Sequence, residues 1–220
     1  MSGFSPTAIL RGIAVGLLLI AWAVLAHYGS AGDGNSDLAA MLACAPLVAL
    51  VAIALWRVGS PLWVGLGTLA VVGLLAWNWP LLRQNVAVLY FIQHVGTNLA
   101  LGALFGRTLL AGRVPLVTHF ARLAHNGVIS PAKEIYTRQV TIAWTCFFLA
   151  TAAISGLLFF FAPAAAWSTF ANLLGMVLIG LMFVIEHLVR QRVLAPEDQS
   201  SIADTIRGYQ LSTRQKVDGQ

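Results

Sequence analysis

The chain has 220 residues, of which 59% are hydrophobic and 10% charged, with a mean hydropathy of +0.81 and a formal net charge of +5. A water-soluble domain with so few charges would expose apolar surface that nothing could solvate, so the composition excludes that class and implies a polytopic membrane protein. The two cysteines, Cys44 and Cys146, have no CxxC or metal-ligand spacing and read as packing residues.

A helix needs about 20 apolar residues to cross ~30 Å of hydrocarbon at 1.5 Å per residue. Six runs qualify as spans, at residues 9–27, 38–56, 61–77, 85–105, 140–161 and 167–188. Open sheet edges cannot be satisfied in lipid, and the runs lack the alternation of barrel strands, so the expected fold is all-α. The expectation is one transmembrane helical bundle over residues 1–192, with a cytoplasmic loop at 106–139 and a cytoplasmic tail at 193–220.

The first run carries Gly12-x-x-x-Gly16, a spacing that allows close helix approach and recurs at Gly102-x-x-x-Gly106. Gly29-Ser30-Ala31 after that run also fits a signal-peptide cleavage site, the alternative to a first span. Placing the N-terminus in the cytoplasm puts every Lys and Arg except Arg83, among thirteen, inside or at the inner boundary, and it puts Asp33 and Asp37 outside. That bias predicts six spans with both termini cytoplasmic. Trp77, Trp79 and Trp167 mark the outer interface and Trp56 the inner one.

The fourth run is the least apolar. Tyr90, Gln93, His94, Thr97 and Asn98 recur at steps of three and four, so they share one broad helical face. A polar stripe facing lipid costs on the order of several kcal/mol per unsatisfied group, so it is expected to point into the bundle as a binding surface. His94 near its middle is a candidate general base, proton relay or ligand contact, against the alternative of a neutral imidazole bonded between helices. His27 and His187 fall at opposite boundaries, so no second histidine is expected at its depth, and no metal, haem or other cofactor is expected.

In the loop, Val117, Phe120, Ala121, Leu123 and Ala124 recur with helical spacing among the polar His119, Arg122 and His125, and Asn126-Gly127 reads as the stop. This predicts a short amphipathic helix on the inner leaflet. Ser130-Pro131 reads as an N-cap with proline at the first helical position, starting a helix that runs through Tyr136 and Arg138 into the fifth span. His119, His125 and Glu134 are candidate acid/base residues, with Arg138 beside them, although their spacing matches no catalytic signature. Arg107, Arg113, Arg122, Lys133 and Arg138 outnumber Glu134, so this stretch is expected to meet anionic lipid or an acidic partner.

Glu186 and Arg190 form an i to i+4 pair at the end of the sixth span. In the tail, residues 200–209 read as a short helix, and no interleaving of aromatic and basic residues suggests nucleic acid.

At Gly106-Arg107-Thr108-Leu109, the 123–131 stretch and Tyr136-Thr137-Arg138-Gln139-Val140-Thr141-x-x-Trp144, the chain resembles a poorly characterised family of bacterial inner-membrane proteins. Members are associated with fatty-acid-like and aryl polyene biosynthesis, alongside carrier proteins, ketosynthases and acyltransferases. The resemblance spans about residues 93–188 and brings no catalytic residues with it. It implies an accessory protein of the inner membrane, a scaffold or helper for making or exporting an acyl-chain product, with an acyl carrier protein as an acidic partner. A membrane-embedded enzyme acting on a lipid or acyl thioester is the alternative. A small transporter is a further one, which at this size would require an oligomer.

Overall fold

A computed structural model describes residues 6–32, 36–58, 61–125 and 127–195. Asp33, Asn126 and the tail helix expected at 200–209 lie outside the described residues. Among those described, all regular structure is helical: α1 (Pro6–Ala31), α2 (Ser36–Val58), α3 (Pro61–Trp77), α4 (Trp79–Gln84), α5 (Val86–Gly106), α6 (Leu116–Ala124), α7 (Pro131–Phe161), α8 (Ala164–Ser168) and α9 (Gly175–Val193). A 3₁₀ turn at Arg107–Leu109 follows α5, and a π-helical turn at Thr169–Leu174 joins α8 to α9.

Five stretches are long and apolar enough to cross a bilayer: Gly12–Ala31, Ser36–Arg57, Val86–Leu109, Pro131–Phe161 and Ala164–Val193. The remaining expected span, α3, has 17 residues, or about 25 Å at 1.5 Å per residue. It is short because it begins at Pro61 and stops at Asn78, whose side-chain amide turns back onto the Leu74 carbonyl at 2.9 Å before Trp79 and Pro80 open α4. The sixth run, expected as one helix, is divided by the π-helical turn. Side chains such as Leu17, Leu18, Phe160 and Phe161 stand exposed, the surface that hydrocarbon would cover.

The chain packs as two compact units. The first comprises the described residues of 1–94 together with 155–176. Its α1/α2 contact is built of small residues: Ala26, Ala39, Ala40 and Ala43 are buried, and a Cβ on Gly29 would stand 2.4 Å from that of Ala39. Lipid tails are as apolar as leucine, so close backbone approach rather than hydrophobic exclusion drives such contacts. Phe91 stacks on Phe159 at 4.1 Å, and both meet the edge of the buried Trp167. Aromatic pairs of this kind contribute about 0.5–1.5 kcal/mol each beyond area burial.

The second unit comprises 95–154 with the described residues of 177–220. Tyr136, Val140, Trp144 and Phe148 recur every fourth residue along α7 and form one buried stripe, against which Phe105, Val117 and Met182 pack. The Gly102-x-x-x-Gly106 spacing is used here. A Cβ on Gly102 would lie 3.0 Å from Leu149 Cδ2, and one on Gly106 would lie 3.2 Å from Thr145 Cγ2, so α5 and α7 close on bare backbone. Gly12 and Gly16 have open space instead, with nothing within 4 Å of such a Cβ.

Candidate functional site

The first half of the fourth-span stripe faces inward. Buried Tyr90 donates its hydroxyl to the Ala39 carbonyl at 3.2 Å, and the Gln93 side-chain amide donates to the Ala43 carbonyl. Ala43 lies within a turn of Pro46, which lacks the N–H that would bond the Leu42 carbonyl, so the Gln93 amide serves a carbonyl beside the point where the helix ladder is interrupted, while Ala39 lies about two turns before it. Thr97, expected on the same inward face, is exposed, and Asn98 is half-buried.

His94 places Nδ1 3.0 Å from the hydroxyl of Ser155 on α7. Ser155 is fully buried and accepts a bond from the indole N–H of Trp167 on α8, also at 3.0 Å. An imidazole against a serine hydroxyl is the basic arrangement of an activated nucleophile. Here the hydroxyl has no solvent access and already accepts from a donor-only indole, so the trio fastens α5, α7 and α8 together.

Beside it lies a second polar cluster that has no signature in the sequence. Ser168, next to Trp167, lies 2.8 Å from His27 Nδ1 and 2.7 Å from Ser30 Oγ. Asn172 in the π-helical turn donates to Ser30 at 2.9 Å and to Ser168 at 3.2 Å. The Gly29-Ser30-Ala31 triplet is therefore part of α1, with Ser30 buried at its junction with α8. Isolated serines in apolar runs carry no periodic signal, so only their partners reveal the cluster.

In the second unit, α6 starts and stops close to expectation, and Gly127 at φ +92° supplies the left-handed stop. Ser130 caps α7, accepting the Lys133 backbone N–H at 3.1 Å. The orientation of α6 differs from a simple apolar-in helix: Thr118 is 0% exposed, whereas Phe120 and Leu123 are 57% and 56% exposed. Polar bonds turn it this way. Thr118 meets Thr137 at 2.8 Å, the Val117 N–H reaches Thr141 at 3.3 Å, and Arg122 pairs with Glu134 at 2.7 Å.

His125 completes the fastening. Its Nδ1 lies 2.9 Å from the Ala121 carbonyl, which can only accept, so Nδ1 carries the proton and Nε2 is the free acceptor. Lys133 Nζ lies 2.9 Å from that Nε2. Lys133 is thus buried, at 3% exposure, and not part of the basic surface expected from sequence. Arg122 is likewise engaged with Glu134, while Arg107, Arg113 and Arg138 are exposed. Of the candidate acid/base residues, His125 and Glu134 are brought to the same α6/α7 junction, whereas His119 is exposed with its ring against Phe120.

Glu186 adds a contact that its i to i+4 pairing does not reveal. Tyr136 donates to its carboxylate at 2.9 Å, and Arg190 lies 3.8 Å from the same oxygen. No group of three or more potential metal ligands occurs among the described residues. Comparison with family models, with curated proteins and with solved structures finds no match.

Proposed function

We propose that the chain is a six-span protein of the bacterial inner membrane, with both termini cytoplasmic, that serves as a non-catalytic scaffold or helper for machinery building or exporting an acyl-chain product. One observation carries this reading: α6 is fastened to α7 by Thr118, Arg122 and His125, leaving Phe120 and Leu123 outward while Arg107, Arg113 and Arg138 stay exposed. An exposed apolar pair with cations on the flanking segments suits an acidic partner such as an acyl carrier protein, and such a surface raises encounter rates in a salt-dependent way. The family resemblance at 106–144 points to the same setting.

The test is recovery of acyl carrier protein by the full-length chain in detergent, compared with a Phe120→Glu variant and an Arg113→Glu/Arg138→Glu variant. Both variants should recover less, and the wild-type signal should fall as salt rises. Equal, salt-insensitive recovery by all three would overturn the docking reading. Intact function with no carrier bound would leave the inner leaflet as the occupant of this face.

The pairing of His94 with Ser155 favours a second reading, an enzyme or transporter with an intramembrane site. Ser155→Ala that folds normally yet abolishes function would replace the scaffold reading with this one.

A further inference from the structure

Between α2 and α3 in the first unit runs a groove of about 720 Å³. Ile53 and Trp56 of α2 face Leu69 and Val72 of α3 across it, Gly65 keeps part of the wall free of side chain, and Arg57 is the only ionisable residue in the lining. The α3 side extends from Val64 to Val72, about 12 Å at 1.5 Å per residue. Arg57 closes the apolar stretch Ser36–Arg57 that is long enough to cross a bilayer, so the cation stands where that stretch would leave the hydrocarbon.

We propose that this groove is a binding site for one anionic phospholipid, with an acyl chain along the Ile53, Trp56 and Leu69 surface and the phosphate at Arg57. Apart from Thr68 the lining is apolar, and it is cationic at one end, which is the charge order of an anionic lipid read from tail to head. A zwitterionic lipid brings its own cation beside Arg57 and gains less. The proposal needs only a membrane setting and is independent of carrier docking at α6.

The test reconstitutes the full chain into phosphatidylcholine nanodiscs containing trace phosphatidylglycerol, phosphatidylcholine or free fatty acid, each with a photoactivatable diazirine on the acyl chain. Labelled peptides are then mapped by mass spectrometry. Phosphatidylglycerol should label the Val64–Val72 stretch about fivefold more than phosphatidylcholine, the equivalent of ~1 kcal/mol for one cation near an anionic headgroup. Arg57→Gln should remove that preference. Gly65→Phe should suppress groove labelling by either lipid while leaving labelling around Leu17 and Leu18 unchanged. A Cβ at Gly65 meets nothing within 4 Å, so the ring fills the groove rather than clashing with backbone. If Gly65→Phe does not fold, the Arg57→Gln arm still decides, because Arg57 is exposed at a helix end. Equal labelling by the two lipids, or a preference that survives Arg57→Gln, would overturn the site. Preferential labelling by free fatty acid would overturn the phospholipid as occupant.

Discussion

His125 and Lys133 meet at 2.9 Å between Nε2 and Nζ, with the imidazole tautomer set by its other nitrogen against the Ala121 carbonyl. The neutral ring thereby gives a buried ammonium an acceptor, and it ties the end of α6 to the first turn of α7. His125→Leu removes that acceptor. Losing a bond to a buried charged group costs about 1–3 kcal/mol or more, so the variant should unfold at lower denaturant than wild type in detergent. His125→Gln, which keeps an acceptor, should recover part of the loss. Equal stability of the Leu variant and wild type would show that the contact contributes nothing.

The bond from Trp167 to Ser155 leads to a second expectation. Ser155→Ala leaves the indole N–H buried without that acceptor, whereas Ser155→Ala/Trp167→Phe removes both partners. A double-mutant cycle should give favourable coupling of about 0.6 kcal/mol, with ~1.7 kcal/mol as the upper end seen for interhelical bonds in membranes. Strict additivity would mean that the two residues do not communicate.

Neither contact is legible in the sequence, where Lys133 reads as surface and Trp167 as an interface marker, yet both are buried. The inward direction of Tyr90, Gln93 and His94 follows from polar residues at helical spacing in an apolar run, and Ser130-Pro131 announces the start of α7 through cap chemistry. Thr97 shares that spacing yet is exposed, since periodicity gives a face and not the place where packing ends. The exposed Phe120 and Leu123 fit a helix at the inner leaflet, but the contacts that hold α6 to α7 are hidden for a related reason. An amphipathic pattern names two faces, and the threonines of α7 that hold its polar side lie about 20 residues away along the chain. Lys133 reads as surface because lysine usually is, and a histidine across the loop helps to make its burial tolerable.

The two Gly-x-x-x-Gly spacings should respond differently to substitution. Gly102→Leu must displace Leu149 or Phe148, and overpacking of this kind costs about 1–3 kcal/mol. Gly12→Ala enters open space and should stay within about 0.5 kcal/mol of wild type. Thermal unfolding followed by tryptophan fluorescence in detergent would check both. A larger loss at Gly12 than at Gly102 would contradict the packing described for α5 and α7.

The short α3 bears directly on the number of crossings. Asp37 lies in the first turn of α2 and Arg57 in its last, so the two mark opposite ends of one long apolar helix. Arg83 comes within 3.8 Å of Asp37, and the Trp79 indole donates to the same carboxylate at 2.9 Å. The chain that leaves α2 at Arg57 has therefore returned to the Asp37 end by Trp79, and α3 covers that distance despite its 17 residues. This supports counting α3 as a crossing, with bilayer thinning or interfacial aromatics absorbing a mismatch of a few ångströms. Reporter fusions after Arg57 and after Gln220 should then read as cytoplasmic, and a fusion after Asn78 as periplasmic. If the Asn78 fusion reads cytoplasmic, α3 does not cross, five spans remain, and the two termini lie on opposite sides of the membrane.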